Sequence, residues 1–209
     1  MAFRQMINGN QPMNIGIFRI DWEFLSDFGP AGAIGGIWEC PDFFELPIDG
    51  DPDNTRWVLH VDMNPGAVAG GSGSQYFVGS WDGNTFTPDD QIMQDEIKWV
   101  DYGPDYYAAI SWNNIPEEDG RRLWIGWMNN WNYAETIPTD PWRSAQTVAR
   151  SVQLRTIDGA PRLVQSPVEE LQQLRADPVQ LDSRSLSSDT VSLAAEGISG
   201  TMMELSATF

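Results

Sequence analysis

Along most of this chain apolar and polar residues alternate with a period of two. The runs are short and are closed by Gly, Pro, Asn and Asp, the pattern of strands joined by turns. "DWEFLSDFG" leads, then "WECPDFFELP", "TRWVLHVDMN", "SQYFVGSW" and "NTFTPD". A second series follows: "DYYAAISWNN", "RRLWIGWMNN", "AQTVARSVQLR" and "PRLVQS". The pattern predicts an all-β chain containing two sets of four strands, each set about 60 residues long. A four-stranded antiparallel unit repeated at that period is the signature of a β-propeller.

The join between the two sets carries its own repeat. "CPDFFEL" at 40–46 aligns with "GPDYYAA" at 103–109, so Pro41-Asp42 matches Pro104-Asp105. In that register Glu39 matches Tyr102 and Trp38 matches Asp101, and 40–46 and 103–109 are predicted to be equivalent innermost strands. Each Pro-Asp stands where a sheet tolerates a missing amide donor. Past residue 165 the texture changes. "SPVEELQQLR" places Ser166 at N-cap, Pro167 at N1 and Glu169 at N3 of a short helix. Polar, Ser-rich sequence follows, and "TMMELSATF" reads as the opening strand of a second sheet.

Composition narrows the chemistry. The 209 residues carry 12 basic and 30 acidic side chains, a formal charge of −18. Such a surface repels phosphate backbones and anionic lipid, which argues against nucleic-acid and membrane partners. A neutral substrate fits better, and the 10 Trp residues offer flat apolar faces for sugar rings, although Trp in a strand is more often core. Cys40 is the single cysteine and His60 the single histidine, so an intrachain disulfide and a His/Cys zinc site are excluded by count. His60, inside "RWVLHVDM", reads as a strand-face residue. The start has no hydrophobic signal-peptide core.

Glu39 is the residue with candidate chemistry. It stands between Trp38 and Cys40 and close to Phe43 and Phe44, neighbours that would disfavour a charged carboxylate and suit a general acid. The competing reading is an exposed strand-end carboxylate, or one paired with Arg19 or Arg143. Asp42 and Asp105, at matching places in the repeat, read as strand-start hydrogen-bond acceptors.

The run "WECPDFFELP" resembles the acid/base block of glycoside hydrolase family 32, the invertase, inulinase and levanase family. "WEFLSDFGPAG", "GGSGSQYFVGSWDGNTF", "DYGPDYYAA", "IGWMNNWNYAETIPTDPWRSA" and "LVQSPVEEL" resemble further blocks in the same order, over residues 16 to 175. The resemblance implies a five-bladed propeller joined to a β-sandwich. Residues 1–165 would then form an incomplete propeller domain of about two blades and part of another. Residues 166–178 would be a linker with a short helix, and 179–209 the start of the sandwich. It implies hydrolysis of β-fructosidic bonds in sucrose, inulin or levan by a retaining two-carboxylate mechanism, without cofactor or metal, on an extracellular sugar.

Carried over position by position, the resemblance makes Glu39 the acid/base. Cys40 would line the same pocket, Asp101 and Tyr102 would form the rim or orient the acid, and Trp131 would be a wall against the fructosyl unit. The family's Asn-Asp-Pro-Asn-Gly nucleophile motif and its Arg-Asp-Pro motif do not occur, the nearest string being "TDP" at 139–141. The expectation is a fragment lacking the N-terminal blades, with one carboxylate of the pair and no activity alone. Fructosyl transfer on the same fold, and a non-catalytic sugar-binding propeller, are the alternatives.

Overall fold

The computed structural model describes residues 2–6, 14–18, 21–89, 96–185, 190 and 192–208. Two compact units are present, residues 1–168 and 169–209. The first holds every described strand. A small antiparallel sheet consists of β1 (Ala2–Met6), β2 (Asn14–Phe18) and β3 (Phe24–Phe28). An antiparallel meander follows: β4 (Ile37–Ile48), β5 (Asp51–Asn64), β6 (Gly73–Trp81) and β7 (Phe86–Pro88). A second antiparallel set comprises β8 (Tyr107–Ser111), β9 (Arg122–Met128), β11 (Arg150–Ile157) and β12 (Ala160–Pro167), with the short β10 (Ala145–Gln146) also pairing β9. The two sets of four expected from the alternation are both there, over 37–88 and 107–167.

Local chemistry explains the tight turns. Asp49-Gly50 joins β4 to β5 with φ of 55° and 81°, and Asp158-Gly159 joins β11 to β12 with 53° and 77°. Two consecutive positive φ values define the hairpin turn whose twist matches that of strands, and Asp-Gly is a favoured sequence for it. Near the first turn the two sets touch through one parallel rung, Leu154 to Ile48, and the Asp49 amide donates to the Leu154 carbonyl at 2.9 Å.

The β4–β7 sheet is covered on both faces. On one side Ile15, Ile17 and Phe28 pack with Trp38, Leu59, Val61, Met63 and Phe77. On the other Phe44, Val58 and Val78 pack with Tyr106, Trp124, Val152 and Leu154 of the second set. Val58 to Met63 on β5 are consequently all buried.

Three expectations need correction. The two sets open with β4 and β8, but not in the register that aligns Pro41-Asp42 with Pro104-Asp105. Asp105 precedes β8, whereas Asp42 lies inside β4. Ser166 and Pro167 finish β12 instead of capping a helix, and the helical turn is a 3-10 segment at Glu169–Leu174. Pairing with β11 takes up their backbone before a helix can start. Residues 201–208 form no strand, and Phe209 lies outside the described residues. A strand needs a neighbour to take its amides, and residues 169–209 hold no described strand to pair with. The strands β1 and β2 were not anticipated.

Candidate active site

The β4 strand is anchored just before Glu39. The Trp38 indole donates to the Ala33 carbonyl at 2.8 Å, and the Gln75 carboxamide grips the same residue at its N–H and C=O, at 2.8 and 2.9 Å. Just after Glu39 the strand bulges. Glu39 pairs with Asp62 and Asp42 with His60, so Cys40 and Pro41 together face one residue of β5. Cys40 takes a left-handed conformation, φ 45°. The β8 strand repeats this feature: Tyr107 pairs with Trp127 and Ile110 with Ile125, with Ala108 at φ 49°. Bulges of this kind re-aim side chains at a sheet's end. The bulges make Tyr107, not Tyr102, the counterpart of Glu39, and Ala108 that of Cys40.

The two counterparts meet. The buried Tyr107 hydroxyl donates a short hydrogen bond to Glu39 Oε2, while Glu39 itself is exposed. Burial first, and the Glu39 carboxyl second, hold the Tyr107 phenol far above its ordinary range, so it stays a donor. Trp38, Phe43 and Phe44 do not form an apolar cage for Glu39. Trp38 and Phe43 belong to the core shared with β2 and β3, and Phe44 to the core shared with β8–β12. Arg143 is engaged by the carbonyls of Glu135 and Ile137, and Arg19 lies outside the described residues.

Beneath Glu39 is a polar layer that sequence reasoning missed. Asp62, fully buried on β5, accepts the Ala109 amide at 3.1 Å with Oδ2 and makes a short hydrogen bond to Ser74 through Oδ1. Asp42 accepts the Ser111 amide at 2.7 Å. Alternate amides on β8 are thus satisfied by two carboxyl groups. Burial drives the Asp62 carboxyl well above the usual range; the hydrogen bonds from Ser74 and Ala109 oppose this, and the charges of Glu39 and Asp42 reinforce it. His60 is also fully buried, with Nε2 3.6 Å from Asp62 Oδ1 and neither ring nitrogen in a hydrogen bond. Burial lowers its pKa to about 4 despite Asp42, so it is a neutral imidazole. The Cys40 thiol is pushed up to about 11, first by partial burial and then by Asp62 and Glu39.

The remaining sequence candidates form the surroundings. Trp131 is half-exposed and its ring lies 5.0 Å from that of Trp127, which in turn lies 6.2 Å from Tyr107. An aromatic series therefore runs from the residue that touches Glu39 out to Trp131. The turn carrying Trp131 is held by buried Asn130, whose amide donates to the carbonyls of Gly70, Ser72 and Pro104 and whose Oδ1 accepts from Ser72 and Asn132. Asp101 pairs with Arg150 at 2.8 Å and accepts the Gly103 amide, which makes it a brace for its loop. Tyr102 is 71% exposed, and the hydroxyl that orients Glu39 is Tyr107's. Asp105 accepts from the Tyr133 hydroxyl. Among the described residues no group of three or more His, Cys, Asp or Glu is placed to hold a metal.

The arrangement offers one accessible carboxyl whose second oxygen is fixed by a phenol, beside an aromatic face. Asp62, buried and bonded at both oxygens, is sheltered from any substrate. The family model described as the glycosyl hydrolases family 32 N-terminal domain matches residues 18–167. A levanase of Bacillus subtilis is 46% identical over 189 residues, 90% of this chain and 28% of the levanase. An extracellular exo-inulinase of Aspergillus niger is 49% identical over 154 residues, 71% of this chain and 28% of that protein. The crystal structure of an exo-inulinase from Aspergillus awamori superposes with a TM-score of 0.70 at 43% identity, covering 77% of this chain and 32% of that one. This chain thus spans under a third of the length of these relatives. The chain belongs to glycosyl hydrolase family 32.

Proposed function

We propose that this chain carries the acid/base half of a β-fructosidase site, with Glu39 as the proton donor and acceptor in a retaining cleavage of sucrose, inulin or levan. The observation that supports it is the exposed Glu39 carboxyl with Tyr107 donating to Oε2. In the acid form the proton sits on Oε1, free to pass to the departing glycosidic oxygen. In the second half-reaction the carboxylate takes a proton from water. Trp131 would stack on the sugar, Cys40 would line the pocket beside Glu39, and Asp101 and Tyr102 would stand at the rim. Retaining hydrolysis requires a second carboxyl about 5–5.5 Å from the first to attack the anomeric carbon, and the motif that supplies it does not occur in this sequence.

In the same reading the sheets β4–β7 and β8–β12 are two blades of a five-bladed propeller, and β1–β3 is part of another. The residues that follow Pro167, including the 3-10 turn at Glu169–Leu174, would then lead from the propeller toward the family's second domain. The substrate is extracellular sugar, as the location in the exo-inulinase's name suggests.

The test is a chimera in which a relative's missing segments restore the nucleophile. Glu39→Gln there is expected to cut turnover strongly on sucrose, and less on a fructoside with an acidic leaving group. Added azide should then speed product release from an accumulated fructosyl intermediate. Equal losses on both substrates, without azide rescue, would return Glu39 to a structural role.

A further inference from the structure

We propose that Asp62 is a positioning residue for Glu39: from the neighbouring sheet it clamps the bulge of β8 and so holds the Tyr107 hydroxyl against the Glu39 carboxyl. The inference rests on the acid/base reading of Glu39 given above.

The geometry is specific to the peptides around Tyr107. Asp62 Oδ2 takes the amide of Ala109, the second residue of the bulge. Asp62 Oδ1 meets Ser74 Oγ, which also lies 3.5 Å from the carbonyl of Tyr106. The chain is therefore gripped on either side of Tyr107, by one carboxyl and the hydroxyl it touches. At the same time Asp62 is the direct cross-strand partner of Glu39. One buried side chain relates both members of the Glu39–Tyr107 pair, though it touches neither reacting atom.

Proton counting agrees with this. Ser74 Oγ has a single proton and two neighbouring oxygens to satisfy, Asp62 Oδ1 and the Tyr106 carbonyl. If Asp62 is a neutral acid, its own proton points to Ser74 Oγ and the serine proton is left for the Tyr106 carbonyl, so Asp62, Ser74 and that carbonyl are all paired. Burial favours that neutral form. A buried side chain that serves only packing would need no such set of contacts, and an apolar residue would fill the space at lower cost.

The experiment uses the 209-residue chain with ¹³Cζ-labelled tyrosine, and reads the Tyr107 resonance, assigned through Tyr107→Phe. Glu39→Gln should shift that resonance, because it replaces the acceptor of the phenol proton. Asp62→Ala should shift it as far, and Glu39→Gln added to Asp62→Ala should shift it no further. Asp62→Asn keeps an acceptor for the Ala109 amide and should leave most of the contact in place. Asp49→Asn, at the other end of β4, should leave the resonance unmoved. If Asp62→Ala does not fold, Ser74→Ala decides, since it removes only the grip on the Tyr106 side and should give a smaller shift in the same direction. A Tyr107 resonance unchanged in every folded Asp62 and Ser74 variant overturns the proposal, as does one that ignores Glu39→Gln. The readout involves no turnover, so it is independent of the azide test of Glu39 as the acid/base.

Discussion

The residue that identifies the site, Glu39, stood out in the sequence because a carboxylate between Trp38 and Cys40 matched a known acid/base block. Its partner did not stand out. Aligning the repeat on Pro-Asp pointed to Tyr102, while the real counterpart, Tyr107, is set by bulges at Cys40 and Ala108. Neither bulge contains a glycine to betray its left-handed residue, so nothing in the letters marks the shift. Cys40 offers a test at this scale. Its thiol, exposed but held up to about 11 against an ordinary 9.0, should carry about 100-fold less thiolate near neutral pH than an unperturbed one. Iodoacetamide labelling followed by mass spectrometry should therefore be slow at pH 8 and climb steadily past pH 10. Glu39→Gln should accelerate it, because one of the opposing charges is gone. A labelling rate at pH 8 equal to that of a free cysteine would contradict the described surroundings.

At the scale of elements, period-two alternation and the Gly, Pro, Asn and Asp between runs made the strands of both four-stranded sets legible. What alternation concealed was coverage. His60 and Asp62 look like the polar side of a half-exposed strand, yet β5 is buried on both faces and those residues form an internal polar layer. Asn130 was hidden for a related reason. In "MNNWNY" it resembles turn punctuation, and only the fold brings the segments at 70–72 and 104 to its amide. Asn130→Ala would leave three carbonyls and two amides near it without this partner. The expected loss is about 3 kcal/mol or more, read as a fall in the denaturant midpoint at unchanged m. If Trp131 stacks on sugar as proposed, the same variant should also weaken binding of a fructo-oligosaccharide, because the turn presenting Trp131 loses its anchor. Unaltered stability would show that water replaces the amide without cost.

For the whole molecule, the buried Asp62–His60 pair contributes to how stability responds to pH. Asp62 is raised above its unfolded value and His60 lowered below its own. Asp62 faces Glu39, Cys40 and Asp42 from β4, His60 from its own strand, Tyr106 from just before β8 and Tyr107 from β8, with Arg150 over the Tyr106 ring. Rising pH acts on the two in opposite senses. The unfolded chain gives up the Asp62 proton before the folded chain does, so the contribution of Asp62 declines as pH climbs from the ordinary carboxyl range toward its raised folded value. His60 is already neutral in the folded chain above about pH 4 and loses its proton in the unfolded chain only toward 6.5, so its contribution grows across that window. Asp62→Asn leaves His60 alone. Its contribution is then full above pH 6.5 and lost as pH falls toward 4, by up to about 3 kcal/mol. Urea unfolding at pH 5 and pH 8 should thus show a larger gain in stability with pH in Asp62→Asn than in the unaltered chain, and equal gains would refute the assignment. The exposed acids with lowered values, Asp49, Asp82 and Asp119, lose their stabilising effect only at lower pH.

The carboxyl groups that cap β8 also make that strand dependent on the sheet before it. Ala109 and Ser111 find acceptors for their amides on strands of the preceding sheet, at Asp62 and Asp42. Synthesis proceeds from the amino end, so the acceptors leave the ribosome first and can be in place when the donors emerge. The earlier sheet is then available as a template on which β8 can settle.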